Sequence, residues 1–285
     1  MVKLIVLGTA QDGGVPQLGC AHRYCERARR DPVFARAVAC LGLVDESAQR
    51  TYLIDATPDV RAQLDYLCAQ ACRQGNTQNP LDGLVLTHAH VGHYTGLIQF
   101  GKEIMSTRQM PIYASACMIA FLMQNEPWSQ LIRDGHLLPL VIEPEQNVRL
   151  TDRLAVRPFT VPHRDEWADT LGLEIIGPSQ RVLYIPDIDR WNDWECDIRQ
   201  AVAGCDLALL DGCFFSGDEL PGRDISRVPH PFIPDTLTLL AEHANKVHFT
   251  HLNHTNPAID GDSPERQAIE AAGFHVAEER AEFAL

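Results

Sequence analysis

Thr87-His88-Ala89-His90-Val91-Gly92-His93-Tyr94-Thr95-Gly96-Leu97 follows directly on the apolar run Leu84-Val85-Leu86. Three histidines within six positions at the end of a strand-like run read as a metal-binding loop. Neutral imidazole is the commonest protein ligand for zinc and suits iron and manganese as well. His88 and His90 are two apart, so on an extended segment they point to the same side. His93 lies beyond the turn at Gly92 and reaches a neighbouring point. One short segment can therefore serve two adjacent metal positions. A lone surface histidine is usually solvated and a lone buried one hydrogen-bonded; three at the mouth of one strand fit neither description.

The 285 residues allow one large α/β domain or two small ones; one domain over residues 1–285 is expected. Apolar content of 45% and charged content of 22% are ordinary for a globular protein. With 38 acidic against 24 basic residues the formal net charge is −14. No basic stripe interrupts that excess, which argues against nucleic acid or an anionic membrane as partner. The opening run Met1–Leu7 meets Gly8 too soon for a signal segment, and no segment approaches the ~20 apolar residues that span a bilayer. Nine cysteines, an odd number with only two close pairs, do not form a disulfide scaffold. A reducing cytoplasm is the expected location.

Strands are expected at Leu4–Leu7, Tyr52–Asp55, Gly83–Thr87, Ile112–Ala114, Leu154–Phe159, Leu171–Ile176, Arg181–Ile185, Leu207–Leu210 and Val247–Thr250, as β-branched or aliphatic runs bounded by breakers. Helices are expected at Asp59–Cys72, Gly101–Ser106, Ala116–Asn125, Pro234–Ala244 and Pro264–Ala272. Strands come singly and in groups, so two packed sheets with helices outside fit better than a doubly wound sheet.

Three further polar residues stand where an apolar run stops: His163 after Phe159–Pro162, Asp187 after Leu183–Pro186, and His251 after Val247–Thr250. With His88, His90 and His93 they make a set of imidazoles and one carboxylate suited to Zn, Mn or Fe. Over nearly its whole length the chain resembles the metallo-β-lactamase superfamily, whose motif is His-x-His-x-Asp-His followed by a later His, an Asp and a last His. That resemblance implies an αβ/βα four-layer sandwich. It implies a first metal on His88, His90 and His163, with Asp187 bridging to a second completed by His93 and His251. The sequence departs from the motif at Gly92, where the family has Asp. Either the first site binds a single ion, or the second keeps His93, His251 and Asp187 as a 2-His-1-carboxylate set. Asp12, in Gln11-Asp12-Gly13-Gly14, is a candidate replacement carboxylate, although Asp before two glycines is commonly a turn residue.

Leu7–Gln17, Ile54–Leu64, Asp211–Phe215, Thr250–Pro257 and Asp262–Arg266 are similar to the protein B family of pyrroloquinoline quinone (PQQ) biosynthesis. That family commonly lacks the first two motif histidines, which are present here. A second resemblance is to the cyclic phosphodiesterases of phosphonate breakdown, which carry a structural zinc on Cys-x-Cys-x-x-Cys plus a distant His. Here the loop reads Cys20-Ala21-His22-Arg23-Tyr24-Cys25, and His254 stands three residues after His251. The resemblance implies structural zinc on Cys20, His22, Cys25 and His254, tying the N-terminal loop to the strand end that carries His251.

Among the remaining candidates, His230, in Arg227-Val228-Pro229-His230-Pro231, is a candidate proton donor with Asp187 in the catalytic group. Asp55 and Asp211 end strands and are expected to orient ligand imidazoles. His136 and His275 read as surface residues, His243 as helical and His248 as mid-strand; Cys68 and Cys72 are spaced for helix packing. No P-loop and no Gly-x-Ser-x-Gly elbow occurs. The expected activity is metal-dependent hydrolysis of an ester, amide or phosphodiester, with the ion lowering the pKa of its bound water toward ~7. The PQQ resemblance implies an alternative, iron-dependent hydroxylation of a tyrosine-derived peptide. A carrier that retained the fold is a third reading. Small molecules or short peptides are the expected partners; a homodimer stays open.

Overall fold

The computed structural model describes residues 1–71, 79–220, 222 and 227–285. Among the described residues there are fourteen strands: β1 Val2–Gly8, β2 Cys40–Asp45, β3 Arg50–Ile54, β4 Gly83–Val85, β5 Met110–Ala114, β6 Leu137–Val141, β7 Val148–Arg149, β8 Ala155–Val161, β9 Thr170–Ile176, β10 Arg181–Ile185, β11 Leu207–Asp211, β12 Val247–Thr250, β13 His275–Val276 and β14 Glu282–Ala284. They form two seven-stranded sheets, ordered β14-β1-β2-β3-β4-β5-β6 and β13-β12-β11-β10-β9-β8-β7.

Period-two alternation along the strands builds the layers. Val2, Leu4 and Val6 of β1 face the other sheet and pack in one cluster with Leu41, Leu43, Leu173, Ile175 and Tyr184. From the opposite face of the first sheet, Ile5, Leu7, Leu53 and Leu84 cluster with Leu64 and Leu67 of the helix Val60–Gln70 and with Met118 and Leu122 of the helix Ala116–Gln124. The second sheet packs likewise on Ile198, Ile233 and Ile269, from three outer helices. Helix, sheet, sheet, helix is the expected four-layer α/β sandwich.

Strand direction decides where function can lie. β3, β4, β5 and β6 run parallel, and β1 is antiparallel to β2, which is antiparallel to β3, so β1 shares their direction. In the second sheet β10, β11 and β12 run parallel, and β8 shares their direction through antiparallel β9. His88, His90, His93, His163, Asp187 and His251 each follow the C-terminal end of one of these co-directional strands.

Several expectations need correction. Gly101–Ser106 is not helical; the turn lies earlier, as 3-10 helix over Thr95–Phe100. The expected helix Pro234–Ala244 is an α-helix only over Ile233–Leu239, followed by 3-10 helix Ala241–Lys246. His136 is buried, its Nδ1 2.8 Å from the Thr107 carbonyl oxygen, not at the surface. Cys72 lies outside the described residues. Among the described residues no helix is long and apolar enough to cross a membrane.

His248 pairs in register with His275 on neighbouring parallel strands, and the two rings stack at 4.6 Å. Burial, and then the neighbouring His275, pull the His248 pKa down to about 4. Its folded pKa therefore lies below the unfolded value of 6.5, so the unfolded chain binds more protons between those limits and stability falls as pH drops through them. The expected loss from this residue is at most about 3 kcal/mol. Denaturant melts at pH 7 and pH 4 on the wild type and His248→Gln check it: equal acid losses in the two proteins would rule it out.

Candidate metal centre

His88 and His90 leave the end of β4, and His93 sits one turn on in the helix Val91–Tyr94, where His90 is the N-cap. His163 follows β8, Asp187 follows β10 and His251 follows β12. All six converge. Asp187 is 2% exposed and stands at the middle. Its Oδ1 lies 3.1 Å from His163 Nε2 and its Oδ2 3.3 Å from His88 Nε2, 3.7 Å from His90 Nδ1 and 3.7 Å from His251 Nε2. His90 Nδ1 is 3.2 Å from His163 Nε2, and His93 Nε2 is 3.3 Å from His251 Nε2.

The donor atoms of His88, His90, His163 and Asp187 all lie within 4.8 Å of one another. Ligands on a tetrahedral ion with bonds of about 2.1 Å are separated by roughly 3.4 Å, close to the spacings seen. Although His88 Nε2 and Asp187 Oδ1 lie at ion-pair distances from their neighbours, neither buried atom makes a contact of hydrogen-bond geometry. Buried polar atoms without partners are uncommon and call for an explanation such as an ion. This donor set fits a divalent cation.

The surrounding groups hold these rings in place. Asp55, fully buried, accepts from the Thr87 backbone N–H at 2.8 Å and pairs with His93 Nδ1 at 2.7 Å. His93 thus turns its Nε2 toward His251. Thr87 Oγ1 donates to Asp55 and lies 3.0 Å from His88 Nδ1. Asp189 pairs with His163 Nδ1 at 2.8 Å. Asp211 accepts from the Ile188 and Cys213 backbone N–H groups and holds His230 Nδ1 at 2.8 Å. Asp55 and His251 carry φ of +67° and +59°, the left-handed region that costs a non-glycine residue free energy. The strain sits at two strand ends that turn their side chains into the centre.

Protonation follows from these contacts. Burial, with His93 nearby, holds His88 well below the usual imidazole range, and burial takes His251 down to about 3. Both are neutral donors at pH 7. Burial also lowers His163, but Asp187 and Asp189 outweigh it and carry it to about 9. For His93 and His230 burial is again opposed, by Asp55 and by Asp211 with Asp187, and the net direction is up. Burial would raise Asp187; the charges of His163, His251 and His230 hold it well below the carboxylate range.

A cavity of about 330 Å³ opens onto the centre, lined among others by Tyr94, His163, Arg164, Trp167 and His230. Both carboxylate contacts of His230 are through Nδ1, so Nε2 is the ring nitrogen left for the cavity.

The second expected cluster is only partly assembled. Cys20, Cys25 and His254 bring their donor atoms within 4.8 Å of one another. The Gln17 backbone N–H donates to Cys25 Sγ and that of His22 to Cys20 Sγ, both at 3.3 Å. His22 is not in the group. It is the N-cap of the helix Arg23–Arg30, its ring hydrogen-bonds the His254 backbone, and the two rings stand 6.5 Å apart. Starting the helix at Arg23 carries the His22 ring beside His254 and out of the thiolate pocket.

This arrangement of two sheets with imidazoles and a carboxylate at one edge defines a class, and the chain belongs to it: residues 50–252 match the beta-lactamase superfamily domain. Within that superfamily it belongs with the Coenzyme PQQ synthesis protein B sequences. It is 30% identical to the one from Xanthomonas campestris pv. campestris, covering 100% of both chains, and 27% identical to that of Methylorubrum populi, covering 97% of both. Among solved structures it is similar to zinc-bound PqqB from Methylobacterium extorquens, with a TM-score of 0.85 at 25% identity over 99% of this chain and 100% of that one. A diphosphatase of the PhnP family shares the fold at a TM-score of 0.69 and 20% identity, over 99% and 96% of the two chains.

Proposed function

We propose that this chain is a metal-dependent hydrolase whose ion is held by His88, His90, His163 and Asp187. The observation that carries the reading is the convergence of four donor atoms from three separate strand ends around a buried, unsatisfied point. A divalent ion held there would supply Lewis acidity and a water of lowered pKa for hydrolysis of an ester, amide or phosphodiester. The protein's own residues do the rest. Asp187 offsets the charge of the surrounding imidazoles. Asp189 holds the His163 ring through Nδ1, Thr87 Oγ1 meets His88 Nδ1 and Asp55 holds His93. Asp211 holds His230 so that Nε2 can deliver a proton to the leaving group. A 330 Å³ cavity admits a small molecule or the side chain of a short peptide. Zn, Mn and Fe all suit the set.

The sequence identity with Coenzyme PQQ synthesis protein B favours a second reading, an iron-dependent hydroxylation of a peptide-derived precursor in quinone cofactor synthesis. One experiment separates them. Protein purified anaerobically is loaded with Zn²⁺, Mn²⁺ or Fe²⁺ and assayed on a chromogenic phosphodiester, and separately for oxygen uptake with a tyrosine-containing peptide. Turnover without oxygen supports hydrolysis. Oxygen uptake confined to the Fe²⁺ form, with no ester cleavage, overturns it.

Cys20, Cys25 and His254 are proposed to hold a structural zinc that ties the N-terminal loop to the segment after His251. Two thiolates and an imidazole are zinc ligands of choice. Cys25→Ser should lose one equivalent of zinc and about 3 kcal/mol or more of stability. Unchanged zinc by elemental analysis would remove the assignment.

A further inference from the structure

We propose that Asp12 supplies the carboxylate that Gly92 lacks, completing a second ion position with His93 and His251. The inference rests on the metal-centre reading above and concerns how many ions the centre takes.

The structure places the two positions together. Asp12 Oδ1 accepts a hydrogen bond from the Gly92 backbone N–H at 3.1 Å. A Cβ on Gly92 would meet Asp12 Oδ1 and then the Asp12 Cα at 2.7 Å, far inside contact distance. The volume that a side chain at position 92 would enter is already occupied by residue 12. Gly92 carries a helical backbone and no left-handed φ, so its lack of a side chain answers to space and not to backbone conformation. An aspartate at 92 and one at 12 exclude each other, and this chain has the second.

The donor atoms of Asp12, His93 and His251 lie within 4.8 Å of one another. Asp12 Oδ1 is 3.9 Å from His93 Nε2, which is 3.3 Å from His251 Nε2. His93 cannot turn away, because Asp55 holds its other nitrogen. The loop is fixed too. Gln11 N–H donates to the Leu252 carbonyl and Leu252 N–H to the Thr9 carbonyl, at 2.9 and 2.8 Å. Asp12 is therefore pinned one residue beyond a two-bond clamp onto the residue that follows His251. Asp187 Oδ2 reaches both His88 and His251, so its carboxylate stands between the two groups. One hard oxygen and two imidazoles make a donor set for Zn, Mn or Fe.

Asp12→Asn is the informative variant. It keeps the oxygen that accepts from Gly92 N–H, and so the loop, while removing the charge. Gly92→Ala is a second probe that changes no donor atom but pushes residue 12 aside. Apo-protein is titrated with Zn²⁺ alone, read by calorimetry and elemental analysis, beside the wild type and His88→Ala. Asp12→Asn and Gly92→Ala should each bind one active-centre zinc fewer, or bind it at least about tenfold more weakly, with the melting temperature of the apo-protein unchanged for Asp12→Asn. His88→Ala should lose the other ion. Asp12→Asn with wild-type stoichiometry and affinity overturns the proposal. If His88→Ala binds as much zinc as the wild type, the metal-centre reading itself falls; if His88→Ala loses an ion and Asp12→Asn does not, only the role of Asp12 falls.

Discussion

Asp187→Asn is expected to empty the centre. The wild-type carboxylate lies within 3.7 Å of nitrogens from His88, His90, His163, His230 and His251. Asp211 is as deeply buried, but among these rings its contact is with His230; Asp12 is a third exposed and at the margin. Asparagine keeps the size but offers a neutral oxygen on one side and an N–H₂ on the other, which faces imidazole lone pairs and repels a cation. Both proposed ion positions draw on this group, so the variant should lose every active-centre ion while any zinc on Cys20, Cys25 and His254 stays. A bound ion contributes several kcal/mol of transition-state stabilisation, and about 4 kcal/mol corresponds to about a thousandfold in rate. Elemental analysis and steady-state turnover of the metal-loaded protein check this. A variant that keeps its active-centre metal, or more than about a tenth of the wild-type rate, would show that the centre is not organised on Asp187.

The residues that converge there could be picked out because His88, His163, Asp187 and His251 each stand just past the end of an apolar run. That is what the C-terminal edge of a set of co-directional strands looks like in sequence. The same logic applies to Asp12, which follows β1, a strand that runs in the direction of β3 and β4; it was a candidate carboxylate in the sequence, although the two glycines after it read equally well as a turn. The strand Cys40–Asp45 escaped because every residue in it is buried, Asp45 included. Burial on both faces erases the alternation that marks a strand, and a buried aspartate reads as a breaker. The strands Val148–Arg149, His275–Val276 and Glu282–Ala284 are too short to show any period. His22 had the right spacing in sequence and the wrong place in space. Spacing alone does not tell which residue begins a helix, and beginning at Arg23 removes His22 from the cysteines.

Asp55→Ala is expected to cost more stability than any surface substitution, although Asp55 is not among the proposed metal ligands. It is fully buried and serves three donors: the Thr87 backbone N–H, the Thr87 hydroxyl and His93 Nδ1. Alanine leaves all three without the carboxylate in a fully buried position. It also leaves residue 55 at φ +67°, which alanine tolerates less well than aspartate. Removing one partner of a buried charged pair costs about 3–5 kcal/mol. For a chain of this size that is a fall in melting temperature of roughly 10 °C. The effect should reach the site as well, because His93 loses the bond that turns Nε2 toward His251, and zinc bound there should weaken. Asp55→Asn, which keeps an acceptor for the Thr87 N–H, should lose less stability while still loosening His93. Thermal melts of the apo-proteins and zinc titrations of all three measure the two effects separately. A fall of less than about 1 kcal/mol in Asp55→Ala would mean that the network ordering His93 is not what holds these strand ends together.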